Sequence, residues 1–178
     1  METAERKRLT TRTIVLTGLL ASLTIVLATT PIGLIPIPNA SGAMTTVHLP
    51  VIVGGIALGP IAGSLLGLIL GLFTLRFAPW FVVIPARLLI GPVAYLVYRS
   101  IPNRTAGAAL AAVAGTLANT IGVLGAAVVA KLMPLSAALG VAALNGTLEV
   151  ILAVAISSAG RQSIPGRSRS PLSEGVGA

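Results

Sequence analysis

The sequence predicts an all-α integral membrane protein: a bundle of six transmembrane helices with both termini in the cytoplasm. Three observations lead there. The 178 residues are 55% hydrophobic and only 9% charged, with a mean hydropathy of +0.99, whereas soluble domains carry about 25% charged residues. Proline and glycine cut the apolar sequence into lengths that suit helices. The basic residues then fall at the ends of those helices and not along them. A net charge of +8 would otherwise suggest nucleic acid, but charge confined to helix ends is a topology signal. No nucleic-acid partner is expected.

Residues 1–12 form a basic cytoplasmic tail with Arg6, Lys7, Arg8 and Arg12. This resembles the start of a signal peptide, but no small-residue cleavage site stands clear of the proline-rich segment after residue 30, so a retained helix is expected. Helix 1 is predicted over Thr13–Thr30. It is long enough to cross a ~30 Å hydrocarbon core at ~1.5 Å per residue. It carries small residues four apart, Thr17/Ala21 and Gly18/Ser22. Such a face packs either within the bundle or against another membrane subunit.

Residues 31–44 contain three prolines and two glycines, which forbid a regular helix. The segment is apolar and uncharged, more suited to a lid or plug than to a solvated linker. From Thr45 to Arg76 glycine recurs at every fourth position: Gly55, Gly59, Gly63, Gly67 and Gly71. On a helix this spacing forms one slowly drifting stripe against which another backbone can lie. Pro60 lacks an N–H and suits the first turn of a helix. We therefore expect a short helix 2 (Thr45–Leu58), a tight turn at Gly59-Pro60, and helix 3 (Pro60–Leu75). Helix 4 is predicted over Pro79–Tyr98, kinked by Pro85 and Pro92. Helix 5 should cover Thr105–Ala130 and helix 6 Pro134–Ala159. A basic tail, residues 161–178, is expected to be disordered, leaving residues 13–160 as one transmembrane substrate-binding domain.

Charge tests the helix count. With six helices, Arg6, Lys7, Arg8, Arg12, Arg99, Arg104, Arg161, Arg167 and Arg169 share one side, against Arg76 and Lys131 on the other. Merging helices 2 and 3 would split the charges nearly evenly. The positive-inside rule prefers six.

Polar groups inside hydrocarbon are expensive and usually face the bundle interior with a partner or a task. His48, Arg87, Asn119, Asn145 and Glu149 qualify. At ~1.5 Å per residue from the outer helix ends, Arg87 lies roughly 12 Å deep, Asn145 roughly 15 Å, Asn119 roughly 18 Å and Glu149 roughly 21 Å. Arg87 either pairs internally with Glu149 or holds an anionic substrate. The asparagines either cross-link helices or bind ligand. His48, the only histidine, starts helix 2 beside the apolar loop, near the outer mouth. Asn39 within that loop is a further candidate contact.

Absent chemistry narrows the function. There is no cysteine, so disulfides and thiolate metal sites are excluded. GxxxxGK[ST] and GxSxG are missing, and one histidine rules out HExxH. With Glu149 as the only carboxylate in the predicted helices, a carboxylate dyad is excluded as well. We expect neither an enzyme nor a bound cofactor, and no ring of charge marks a channel. A small binding bundle remains, with a structural membrane protein as the alternative.

At these residues the sequence resembles the substrate-binding S components of energy-coupling factor (ECF) vitamin transporters, from about residue 13 to 159. Four stretches carry the likeness: IPIPNASGAMTTVHLPVIVGGIALGPIAGSLLGLILG, IPARLLIGPVAYLVYR, GTLANTIGVLG and NGTLEVILA. The resemblance implies a six-helix bundle in the cell membrane of a prokaryote. It implies a water-soluble vitamin bound near the extracellular face beneath the 31–44 loop. Helix 1, through Thr17, Gly18, Ala21 and Ser22, would dock on a membrane scaffold subunit driven by two cytoplasmic ATPases. The I-P-x-P loop, the H-x-P-V-I run and the Pro-x-Arg run look most like pantothenate-type S components, another vitamin or precursor being the alternative. Pantothenate is an anion, and Arg87 offers a bidentate carboxylate partner.

Overall fold

The computed structural model describes residues 11–36, 43–147 and 150–151. These form α1 (Thr11–Thr29), β1 (Leu34–Pro36), β2 (Ala43–Thr45), α2 (Leu49–Leu58), α3 (Pro60–Thr74), α4 (Trp80–Ser100), α5 (Arg104–Val129) and α6 (Leu135–Val141), which runs into a π-helical turn at Ala142–Gly146. Three helices, α1, α4 and α5, are long and apolar enough to cross a membrane; the other three are shorter. α4 sits centrally, packed on α5, α3 and α2, while α1 lies against α2 and α3, and α6 against α5.

Helix ends follow the sequence signals. Pro50 and Pro60 occupy the first turns of α2 and α3, where a missing N–H costs nothing. Gly59 joins the two helices with φ at +101°, a conformation that side chains disfavour. The side chain of Asn103 caps α5 by accepting from the backbone N–H of Thr105 at 2.9 Å and of Ala106 at 3.4 Å.

The expected glycine stripe is divided by that turn, Gly55 lying on α2 and Gly63, Gly67 and Gly71 on α3. The reason for glycine differs among them. A Cβ on Gly63 would stand 2.7 Å from the Cα of Gly91 on α4, and one on Gly55 would stand 2.4 Å from the Gly91 carbonyl oxygen. Three backbones therefore meet at Gly55, Gly63 and Gly91. At Gly67 a Cβ would lie 2.1 Å from the carbonyl oxygen of Arg87. Gly71 makes only ordinary contacts with Ile84 and Arg87. Close backbone approach is how helices associate without water to expel.

Three expectations are corrected. Helix 2 begins at Leu49, not Thr45, because Pro50 must lie in the first turn and residues 43–45 belong to a ribbon. That ribbon, β1 antiparallel to β2 with Leu34 opposite Thr45, gives the described part of the 31–44 segment regular structure. Pro36 sits at its end, where no ladder bond is lost. Helix 6 is not α-helical throughout: Ala142–Gly146 form a π turn, and α-helix resumes at Thr147. α4, by contrast, stays one helix through both Pro85 and Pro92. Residues 1–10, the C-terminal tail and most of the predicted C-terminal half of helix 6 lie outside the described residues.

Exposed aromatics mark one end of α4: Phe77, Trp80 and Phe81. Tyr95 and Tyr98 stand near the other end, beside Arg99. Trp80 to Tyr98 spans ~27 Å at ~1.5 Å per residue, close to a hydrocarbon core bounded by aromatic belts. Hydroxyls in α1 fold back onto their own helix, Thr17 to the Thr13 carbonyl, Ser22 to Gly18 and Thr24 to Leu20. The helix therefore shows few free polar groups to an apolar surround.

Candidate functional site

A buried polar layer lies where α2, α4 and α5 converge. Its four members are His48, Arg87, Thr116 and Asn119, which are 1%, 7%, 0% and 4% exposed. An Nη1–H of Arg87 donates to Oδ1 of Asn119. Nε2 of His48 lies 3.1 Å from Oγ1 of Thr116. Thr116 and Asn119 are three residues apart on α5, hence on one face and ~4.5 Å apart along the axis. The two pairs thus stack as adjacent rungs, each tying α5 to a different helix.

Each side chain is positioned from behind. Arg87 sits on the turn of α4 whose carbonyl lies against Gly67. On its other side, α4 is held close to α5 at Ala86, whose Cβ would be 2.8 Å from a Cβ on Gly122. His48 is carried inward by the ribbon. The N–H of Thr46 donates to the Gly33 carbonyl at 3.0 Å, and the Thr46 hydroxyl donates to the Ile32 carbonyl at 3.3 Å. Gly33 has no room for a side chain, since a Cβ would lie 2.0 Å from the Leu27 carbonyl oxygen. The residues just before α2 are thereby clamped to the end of α1, and Val47 and His48 are driven inside.

A second cation lies at the same end of the bundle. Arg76 donates to the Ala28 carbonyl at 2.5 Å and lies over the Phe77 ring at 4.7 Å. It caps the C-terminal end of α1, where positive charge suits the helix dipole.

Of the predicted site residues, the structure brings together His48, Arg87 and Asn119. The backbone of Asn145 lies in the π turn, next to Gly146, where an added Cβ would meet the Thr120 methyl at 4.0 Å. Glu149 and Asn39 lie outside the described residues. The predicted docking set is divided. Gly18 and Ser22 are exposed on α1, and space around Gly18 is open, whereas Thr17 and Ala21 are half-buried toward the bundle. Thr116 joins the layer without having been a candidate. Its only signal in the sequence is its place three residues before Asn119.

The layer consists of hydrogen-bonding side chains removed from lipid and solvent. It is rich in hydrogen-bond donors, and among the described residues no His, Cys, Asp and Glu group could hold a metal ion. The chain matches the family model for the ECF transporter substrate-specific component over residues 12–159. It belongs to that family. This S component is similar to the pantothenic acid transporter PanT of Lactococcus lactis subsp. cremoris (strain MG1363). The two are 36% identical over 146 residues, covering 65% of this chain and 74% of the relative. An S component supplies substrate recognition within a transporter and is not itself an enzyme, consistent with a buried donor layer in a small helical bundle.

Proposed function

We propose that this S component binds pantothenate and delivers it to an ECF scaffold subunit powered by two ATPases. The observation that carries the reading is the Arg87–Asn119 pair, a guanidinium and an amide buried together on facing helices. Arg87 receives the substrate carboxylate as a planar fork. Asn119 and Asn145 hydrogen-bond its amide and hydroxyl oxygens, His48 contributes from α2, and Glu149 completes the polar lining. The 31–44 segment, with Asn39, closes above. The likeness to a pantothenic acid transporter supports this substrate over other vitamins.

The bundle crosses the cell membrane of a bacterium six times with both termini in the cytoplasm, residues 13–160 forming the substrate-binding domain between two basic tails. Gly18 and Ser22 form the notch that meets the scaffold helix. The test is mass spectrometry of small molecules extracted from the purified protein, paired with co-purification. Pantothenate in the extract, and scaffold and ATPase subunits in the pull-down, are the expected result. A different vitamin in the extract would overturn the substrate assignment.

A further inference from the structure

We propose that Thr116 fixes His48 in the tautomer bearing its proton on Nδ1, so that His48 presents the substrate with a hydrogen-bond donor. This inference deepens the reading of the polar layer as the substrate site and rests on it.

The reasoning is a count of donors and acceptors. The His48 ring is 1% exposed and Thr116 is fully buried. Nε2 meets the Thr116 hydroxyl, while Nδ1 has no hydrogen-bond partner among the described residues. A neutral imidazole has one donor nitrogen and one acceptor nitrogen; a hydroxyl can both donate and accept. Two arrangements satisfy the 3.1 Å contact.

In the first, Nε2–H donates to Oγ1 of Thr116. The Thr116 proton then needs another acceptor, and among the described residues no such bond accompanies the contact with His48; Nδ1 becomes an idle acceptor as well. Two buried groups are left unmade. In the second, the Thr116 hydroxyl donates to Nε2. Only one group remains idle, the Nδ1–H donor. Buried polar groups without partners are costly, so the second arrangement wins.

That idle donor sits on the rung next to Arg87 and Asn119. A guanidinium only donates, so the bond to Oδ1 of Asn119 fixes the amide orientation and leaves the NH2 as that amide's donor. Asn119, through its NH2, and His48, through Nδ1–H, therefore each bring a donor to the layer. A ligand meeting these two donors must supply oxygen acceptors, as amide and hydroxyl oxygens do. Thr116 is a positioning residue; His48 makes the contact.

The single histidine allows a direct measurement. Protein labelled with 15N-histidine and held in nanodiscs gives long-range proton–nitrogen correlations from one ring alone. In the empty wild-type protein, Nδ1 should appear protonated and Nε2 unprotonated. Thr116→Val should lose that preference, and Thr116→Ser should restore it. Added pantothenate should shift Nδ1 more than Nε2, and Thr116→Val should bind it about tenfold more weakly, the equivalent of one hydrogen bond. A protonated Nε2 in the empty wild type, or bound pantothenate that leaves Nδ1 unmoved, would overturn the proposal. Calorimetry on the same sample separates the two readings: absence of pantothenate binding would defeat the substrate assignment, while the tautomer of the empty protein still decides the role of Thr116.

Discussion

The hydroxyl of Ser64 on α3 donates to the backbone carbonyl of Leu88 on α4 at 3.2 Å. That carbonyl is the one which Pro92, four residues on, leaves without its helical partner. A proline is tolerated in the middle of a membrane helix because a neighbouring helix supplies the missing donor. The same crossing places Gly63 against Gly91 and Gly67 against Arg87. The bond therefore lies between the two contacts that set the position of Arg87.

Removing that donor should loosen the crossing. Ser64→Ala is expected to cost about 1 kcal/mol, the scale of a hydrogen bond between membrane helices. Gly91→Ala should cost more, about 1–3 kcal/mol, because its Cβ would stand 2.4 Å from the Cα of Gly63 and the backbones must part. Gly125→Ala, in open space, serves as control and should be neutral or slightly stabilising. Thermal unfolding in detergent measures all three. A Gly91→Ala variant as stable as the control would show that α3 and α4 do not cross this closely.

The exposed notch on α1 makes a prediction about coupling. Ser22→Trp and Gly18→Trp should block uptake by the assembled transporter while leaving substrate binding to the isolated protein intact. Ala21→Trp should instead destabilise the bundle, since Ala21 packs against the core. Uptake assays with parallel binding measurements check this. If the Ala21 variant binds normally and only fails in uptake, the docking face lies on the Thr17/Ala21 side.

Topology is checked with reporter fusions. Reporters placed at residue 104 and residue 178 should both signal the cytoplasm, because nine basic residues share that side in the six-span arrangement. External signals at both residues would mean that α2 and α3 together make one crossing.

Much of this fold is legible in the sequence because proline and glycine state their reasons locally. The break at Gly59-Pro60 follows from φ preference, which needs no tertiary context, and helix 5, expected from Thr105, begins one residue earlier at Arg104 behind its Asn103 cap. Arg87 and Asn119 announce themselves as polar groups in apolar helices. Thr116 does not. Thr24 and Thr74 satisfy their hydroxyls on carbonyls of their own helices, and nothing local distinguishes Thr116 from them. Its hydroxyl turns to His48 only because the ribbon drives the start of α2 inward. The ribbon itself is three residues a side, too short for alternation to register. The π turn at Ala142–Gly146 likewise leaves no mark in an apolar helix, since one extra residue per turn does not change composition.

The central claim is that Arg87 holds a substrate carboxylate, and calorimetric titration tests it most directly. Wild type, Arg87→Lys, Arg87→Gln and Glu149→Gln are titrated with pantothenate and with its alcohol analogue. Arg87→Lys should weaken binding of the acid by losing the planar fork. Arg87→Gln should weaken it further, by about 2 kcal/mol or more for a desolvated charge pair, while the alcohol loses far less. If Arg87→Gln binds the acid as tightly as wild type and Glu149→Gln unfolds, Arg87 is a structural partner within the bundle, and the assignment of this site is wrong.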